Sequence, residues 1–159
     1  MKGNPGAKVS ILPMADGGEG TVQSVIDATG GEIVKLKVMD PLMRPTESFY
    51  GITGDGKSAI IEMAAASGIE KLKKEERNPL YTTTYGTGEL INDSLGKGCR
   101  KILVGIGGSA TNDGGTGMAT ALGAKFKNIA GDEVEKGGGA LGDITEIELS
   151  GIHPGVLSA

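Results

Sequence analysis

The sequence predicts an α/β protein, because two glycine-rich segments each lie between an apolar strand-like run and a helix-like run. The first segment, residues 13–21, follows the apolar run 9–12, and the second, residues 105–117, follows the run 101–104. Between them, residues 33–63 contain three β-prone runs separated by turn signals, which predicts a β-meander. We therefore expect Gly-rich strand–loop–helix units with an intervening β-meander.

The longer glycine-rich segment, residues 105–117, reads GIGGSATNDGGTG. Glycine allows tight turns and lets an anion approach main-chain N–H groups, and a helix start adds unpaired N–H donors and partial positive charge. The segment therefore predicts a phosphate or carboxylate site. Its spacing is not that of a P-loop, and Lys125 and Lys127 stand where a dinucleotide-binding unit needs an acidic residue.

The shorter segment, PMADGGEGT at residues 13–21, has the same order of features. After it, Val22, Val25 and Ile26 have the i, i+3, i+4 spacing of one apolar helix face, and the pair at 30–31 predicts the end of that helix. One such loop is equally well explained as a tight turn. Two loops that each carry an aspartate favour an anion site.

The remaining elements follow from periodicity and turn residues. An Asp55–Gly56 pair favours a hairpin turn in the meander, and residues 71–77 are charged and expected to form a solvated surface. The hydroxyls of residues 82–84 are candidates for a helix N-cap. The expected elements are strands at 33–39, 46–52 and 58–63, a helix at 89–95, a strand at 101–104, a helix ending at 122, a strand beginning at 124, a mobile loop at 137–140 and a final strand or helix end at 144–149.

Composition narrows the class of protein. Glycine makes up 29 of 159 residues and aromatic residues only 3%, so we expect a core of Ile, Leu, Val and Ala. A net charge of −4 without a basic run argues against nucleic acid or an anionic membrane as partner. The single Cys99 is expected to be a buried small residue, and the single His153 a loop residue. A cytoplasmic protein is the expected class, since no apolar run approaches the roughly 18 residues that span a bilayer.

Longer strings resemble those of a known family. The strings PMADGGEGT (13–21) and GGSATNDGG (107–115) look like the two hallmark loops of the bacterial glycerate kinases. DPLMRP (40–45), IEMAAASG (61–68) and TYGTGELI (84–91) are similar to family blocks in the same order. By this resemblance, the chain is identified as a member of the bacterial glycerate kinase family, type 1.

The resemblance also implies that the chain is incomplete relative to the two-domain family fold. Family members are more than twice as long, and they begin with a strand and an Asp-Ser-Phe-Lys-type loop that this sequence lacks. Residues 1–40 are expected to form a βα unit of one domain, and residues 41–159 part of the second α/β domain. We expect little kinase activity from such a fragment alone. Its open sheet edges favour a homo-oligomer with the strand 9–12 near the contact.

The resemblance implies ATP-dependent phosphorylation of D-glycerate to a phosphoglycerate, with ATP and Mg²⁺ as cofactors. Such a transfer needs donors around the phosphate, a divalent cation and a group that positions or deprotonates the hydroxyl. Asp16 and Asp113 are candidate catalytic residues and metal ligands, with helix N-capping as a compatible alternative. Arg44 is the candidate cation for glycerate or phosphate, because its planar fork binds either, with a surface charge as the alternative. Candidates for binding substrate or nucleotide are Gly17, Gly18, Glu19, Thr21, Gly107, Gly108, Ser109, Thr111, Asn112 and Gly114.

Other interpretations stay open. The chain could be an inactive piece that folds and self-associates, or a phosphate-binding module without turnover. Glu62 interrupts an apolar strand and is expected to face solvent by ordinary alternation, with a position in the cleft as the alternative. Tyr85 and Thr87 lie near a helix start, where ligand contact and capping explain them equally well.

Overall fold

The computed structural model describes residues 14–159 as a four-stranded sheet with helices on both faces, together with a small two-stranded sheet. The strand expected at residues 9–12, and its place near a contact between copies, lie outside the described residues. In chain order the elements are α1 (Thr21–Thr29), β1 (Glu32–Met39), β2 (Pro45–Ile52), β3 (Ser58–Glu62), α2 (Met63–Ser67), α3 (Tyr85–Gly96), β4 (Lys101–Gly105), α4 (Thr116–Ala121), β5 (Lys125–Lys127) and β6 (Glu146–Glu148), with 3₁₀ helices at Ile69–Lys71, Lys74–Glu76, Gly138–Asp143 and Pro154–Ser158.

The four-stranded sheet has the order β1–β2–β3–β4. The strands β1, β2 and β3 are antiparallel neighbours, which confirms the expected meander. The Gly56 N–H donates to the Thr53 carbonyl at 2.8 Å in the turn before β3, where a hairpin turn is predicted. The strands β3 and β4 are parallel, and their register ends with Glu62 opposite Gly105. The end of β3 therefore lies beside the start of the second glycine-rich segment.

The hydrophobic core lies on both faces of this sheet, because successive side chains of a strand point to opposite sides. Ile61 packs on the face covered by α2, α3 and α4, whereas Ile60 packs on the face covered by α1. Each fully buried side chain of this kind contributes roughly 1.5–3 kcal/mol. The larger cluster contains Val38, Tyr50, Ile52, Ala59, Ile61, Ala66, Leu90, Ile91, Leu95, Cys99 and Leu122, and the smaller one contains Val22, Ile26 and Ile60.

The single cysteine and the single histidine both have structural positions. Cys99 is fully buried, as expected, and burial raises the pKa of its thiol. His153 accepts a hydrogen bond at Nδ1 from the Gly155 N–H at 3.0 Å, where the last 3₁₀ helix begins. These contacts explain both residues without a role in chemistry.

The loop expected to be mobile at residues 137–140 is instead held in place, so that expectation was wrong. The Gly138 N–H donates to the Pro79 carbonyl at 3.1 Å, and the Gly139 N–H donates to the Leu80 carbonyl at 3.0 Å. Gly137 has a φ of +105°, and a Cβ there would collide with the Leu80 carbonyl. These glycines permit a close main-chain approach, which composition alone does not distinguish from mobility.

Helix α3 begins at Tyr85, four residues before the expected start at residue 89. Two glycines in its first turn lower its intrinsic helix propensity and hide the true start. A Cβ at Gly86 would collide with the Met39 carbonyl, and one at Gly88 would collide with the Met118 carbonyl. Packing against β1 and α4 therefore requires glycine at both positions.

The predicted domain boundary at residue 40 falls between β1 and β2. These two strands pair along their full lengths, from Glu32 opposite Ile52 to Met39 opposite Pro45. The division into 1–40 and 41–159 stays a prediction about the complete family fold. Among the described residues, no helix has the length and apolar character needed to cross a membrane.

We predict that Gly88→Ala lowers the free energy of unfolding by about 1–3 kcal/mol, because the added methyl group overpacks the contact between α3 and α4. Chemical denaturation measures the change. Gly96→Ala in the same helix is the matched control, since a Cβ there meets no atom within 4 Å. The control is expected to gain about 0.4–1 kcal/mol. Equal effects of the two substitutions would contradict this packing.

Candidate functional site

The two glycine-rich segments touch main chain to main chain. We call residues 14–20 the first loop and residues 106–115 the second loop. The Gly107 N–H donates to the Gly17 carbonyl at 3.0 Å. A Cβ at Gly105 would collide with the same carbonyl, and one at Gly107 would lie 2.8 Å from the Gly18 Cα. The loops can meet this closely only because glycine occupies these positions.

Several candidate groups of the first loop are used within the loop itself. The Gly17 N–H donates to the Thr21 Oγ1 at 3.2 Å, and that hydroxyl donates to the Gly18 carbonyl at 2.8 Å. The Gly18 N–H donates to the Asp16 Oδ1 at 3.0 Å. Three groups proposed for ligand binding, the N–H of Gly17, the N–H of Gly18 and the hydroxyl of Thr21, therefore shape the loop.

Other groups of the first loop are available. Asp16 and Glu19 are exposed. Within residues 14–159, the N–H groups of Glu19 and Gly20 have no hydrogen-bond partner, and Gly20 has a φ of +89°. They lie directly before α1, where the helix adds partial positive charge. This end of α1 can receive an anion.

The second loop is braced by its own hydroxyls. The Ser109 Oγ accepts the Thr111 N–H at 3.1 Å and lies 2.8 Å from the Thr111 Oγ1. Gly108, Asn112 and Gly114 are exposed. The N–H groups of Gly108 and Gly114 have no hydrogen-bond partner in the part of the chain that the structure describes. Of the proposed donors in this loop, these two are available, whereas the Gly107 N–H is used between the loops.

Asp113 is a buried helix clamp, with a relative exposure of 1%. Its carboxylate accepts hydrogen bonds from the Thr83 hydroxyl and from both the N–H and the hydroxyl of Thr84 at the start of α3. It also accepts the N–H groups of Gly115 and Gly117 at the start of α4, at 3.0 and 3.2 Å. Asp113 therefore caps helix starts, as the alternative interpretation from the sequence predicts. Its oxygens are not available to a metal ion or substrate in this conformation.

The hydroxyls of Thr83 and Thr84 serve this clamp, whereas the Thr82 hydroxyl donates to the Ala110 carbonyl at 2.7 Å. The Thr83 Oγ1 also accepts the N–H of Tyr85, the first residue of α3, at 3.3 Å. Thr84 is the N-cap residue of α3, yet its side chain makes no capping hydrogen bond there. Its hydroxyl accepts the Met118 N–H at 2.9 Å and so connects α3 to α4. Thr87 is fully buried, and its Oγ1 lies 2.8 Å from the Ser67 Oγ, which supports a packing role over ligand contact.

The structure does not join Arg44 to the two loops. Its Nε lies 2.6 Å from the Asp40 Oδ2, and its Nη1 lies 2.8 Å from the Glu76 Oε1. The hydrogen bond from Arg44, with a further one from the Lys73 N–H, lowers the pKa of Glu76. The guanidinium fork is thus occupied by carboxylates, and binding of glycerate or phosphate by Arg44 stays a prediction.

Residues 14–159 contain no group of three or more His, Cys, Asp or Glu side chains placed to hold a metal ion. Asp16 and Glu19 are the exposed carboxylates of the first loop. Mg²⁺ commonly takes only one or two carboxylates and completes its shell with phosphate oxygens and water. Binding of Mg²⁺ by Asp16 stays a prediction.

Glu62 is a site residue that the sequence assigned to solvent, and that interpretation was wrong. Its relative exposure is 3%, and its Oε1 accepts the Val22 N–H in the first turn of α1 at 2.7 Å. It also lines a cavity of about 250 Å³ beside the two loops, together with Glu19 and Gly108. The feature that indicates a site at Glu62 is the parallel pairing of β3 and β4, because α/β proteins bind ligands at the carboxyl ends of parallel strands.

Comparison with known proteins identifies the family. The model of the glycerate kinase family matches residues 1–158 of this chain. The chain belongs to the glycerate kinase family. The expected family resemblance is thus confirmed, and the two contacting loops are the segments on which it was first based.

Two curated relatives and one solved structure illustrate the match. The glycerate kinase of Bacillus subtilis strain 168 is 53% identical over 148 residues, which cover 93% of this chain and 39% of the relative. The glycerate 2-kinase of Escherichia coli K12 is 51% identical over 150 residues, 94% of this chain and 39% of the relative. A crystal structure of a protein named glycerate kinase 2 from Salmonella typhimurium LT2 aligns with a TM-score of 0.89 at 49% identity, over 93% of this chain and 40% of that one. This member of the glycerate kinase family therefore has a mixed α/β fold. The chain spans about 40% of the length of these relatives.

We predict that Asp113→Asn lowers the free energy of unfolding by about 2–3 kcal/mol, because the amide group places donors against the buried donors of two helix starts. Asp16→Asn is the matched control: it makes the same chemical change on an exposed loop, and is expected to stay within about 0.5 kcal/mol of the original protein. Thermal or urea unfolding checks both. A fully stable Asp113→Asn variant would exclude the clamp.

Proposed function

We propose that this chain is part of a cytoplasmic glycerate kinase that transfers the terminal phosphoryl group of ATP to a hydroxyl of D-glycerate. The observation that carries the proposal is the main-chain contact between Gly107 and Gly17, which unites two anion-binding loops. Family membership supports it, since curated relatives at 51% and 53% identity are named glycerate kinases.

Each available group has a role in this proposal. Phosphoryl transfer depends on positioning and on donors around the phosphate oxygens. The N–H groups of Glu19, Gly20, Gly108 and Gly114 would bind those oxygens, with Asn112 exposed beside them. The carboxylates of the first loop would hold Mg²⁺, which neutralises phosphate charge when bound. Asp113 would not contact the substrate, and its role would be to hold the second loop in place.

The test is glycerate-dependent release of ADP by the protein encoded in the complete reading frame that contains this chain. We expect turnover that requires ATP, Mg²⁺ and D-glycerate together. Glycerol is the control substrate, because it carries the two hydroxyls of glycerate and has a third hydroxyl in place of the carboxylate. A folded protein that releases no ADP with D-glycerate would contradict the proposal. The activity of the 159-residue chain by itself stays a prediction.

The alternative, a phosphate-binding module without turnover, predicts a different result, which a measurement of thermal stability detects. A ligand that binds only the folded state raises thermal stability. If ATP or inorganic phosphate raised the melting temperature while D-glycerate caused no release of ADP, the chain would be a phosphate-binding module.

A homo-oligomer is a further part of the proposal. The strand β4 is an edge strand of the described sheet, and Leu103 on it and Ile106 after it are 57% and 72% exposed. Such edges pair readily with other chains. Sedimentation of the chain at roughly tens of micromolar, where edge-driven association occurs, is expected to show a dimer or larger. A well-folded monomer would contradict this expectation.

A further inference from the structure

The cavity beside the two loops is built by strand ends and a short connecting segment. It has a volume of about 250 Å³, and its walls include the end of β3, the start of α2, Gly108 and the segment 68–71. The Ile69 N–H donates to the Gly108 carbonyl at 2.9 Å, and the Ala110 N–H donates to the Ser67 carbonyl at 3.0 Å. One wall is therefore hydrogen-bonded directly to the second loop.

Glu62 is the buried carboxylate of this cavity. It is 3% exposed and follows three buried residues of β3, Ala59, Ile60 and Ile61. Its Oε1 is held by the Val22 N–H at 2.7 Å, and its Oε2 accepts no hydrogen bond from residues 14–159. Because burial of a charged group is costly unless it is paired, an apolar residue would stabilise this position better. Among the described residues, no fully buried side-chain oxygen lacks a hydrogen-bond partner, so the Oε2 is open to solvent. Because Glu62 lines the cavity, this oxygen is accessible to a ligand.

The surroundings of Glu62 favour a role as a hydrogen-bond acceptor for that ligand. The N-terminal end of α1 carries partial positive charge, which stabilises a negative group. The register of β3 and β4 sets Glu62 opposite Gly105, immediately before the second loop. Glu62 lines the same cavity as Glu19 and Gly108, whose N–H groups have no hydrogen-bond partner among residues 14–159. A carboxylate oxygen and N–H donors around one space are what a hydroxyl and the phosphate that it attacks would need.

We propose that Glu62 contacts the substrate and accepts the proton of the glycerate hydroxyl that becomes phosphorylated. This proposal rests on the proposed function. In this step the O–H bond of glycerate breaks, and its proton passes to the Glu62 Oε2. The hydroxyl oxygen forms a bond to the terminal phosphorus of ATP. The bond from that phosphorus to the bridging oxygen breaks, and its electron pair leaves with ADP. Bulk water then takes the proton from Glu62.

Lys71 completes the recognition of glycerate in this cavity. It lines the cavity, and its Nζ donates to the Glu47 carbonyl at 3.0 Å and to the Thr46 Oγ1 at 3.3 Å, which fixes the ammonium group. A fixed cation can bind the glycerate carboxylate and so direct a hydroxyl toward Glu62. The carboxylates of Glu19 and Glu70 border the same cavity but are exposed, where water and salt screen their repulsion.

Steady-state kinetics of Glu62→Gln in the full-length protein tests the proposal. Glutamine keeps an oxygen for the Val22 N–H, so the fold and the KM for ATP are expected to stay unchanged. The loss of the proton acceptor is expected to lower kcat by about 100-fold or more. Glu62→Asp is expected to recover part of kcat, because it restores a carboxylate.

Two further variants separate the roles. Glu75→Gln removes the same charge from an exposed position of the second 3₁₀ helix and is expected to leave kcat and KM unchanged. Lys71→Met is expected to raise the KM for glycerate more than it lowers kcat. A Glu62→Gln variant with the kcat of the original protein would overturn the proposal. A variant rescued fully by excess Mg²⁺ would also overturn it, because Glu62 would then be a metal ligand.

Failure of the proposed function is distinguishable from failure of this assignment. If the original protein released no ADP with D-glycerate, the proposed function would fail, and calorimetric titration with D-glycerate would decide the role of Glu62. Binding that is lost in Glu62→Gln but kept in Glu75→Gln would support the contact. Equal binding by both variants, or no binding by the original protein, would overturn it.

Discussion

The parallel pairing of β3 with β4 is the constraint on which the rest of the site depends. It ends both strands at one edge of the sheet, with Glu62 opposite Gly105, so the buried carboxylate and the second loop begin side by side. The first loop then reaches the same edge because Gly17 can accept a main-chain hydrogen bond from Gly107. A one-residue change of register would turn Glu62 to the opposite face of the sheet and separate these groups.

Three carboxylates of this site have the same chemistry but different environments, and the environments separate their roles. Asp113 is buried with its oxygens fully hydrogen-bonded, so it fixes two helix starts. Glu62 is buried with one oxygen held by Val22, and its other oxygen accepts no hydrogen bond from the residues that the structure describes. Asp16 is exposed and accepts one local hydrogen bond from the Gly18 N–H, so its carboxylate is open to solvent.

The sequence predicted the meander, the second strand–loop–helix unit and the helix that follows the first loop, because these depend on local periodicity and turn chemistry. It left two alternatives open for Glu62 and for Asp113, because their positions depend on contacts between residues about 30 to 40 positions apart in sequence. Alternation along a strand assigned Glu62 to solvent, since the pattern contains no information about the helix that covers that face. The glycines at 137–139 likewise indicated mobility, although a close approach to Leu80 explains them.

In the proposed reaction, glycerate binds at this sheet edge, between Glu62 and the two loops. A crystal structure of the full-length protein with D-glycerate and a non-hydrolysable ATP analogue tests it most directly. We expect a glycerate hydroxyl in hydrogen-bond contact with the Glu62 Oε2, and phosphate oxygens in hydrogen-bond contact with the N–H groups of the loops. Glycerate bound at another place, with a protein group on the Glu62 Oε2, would contradict it.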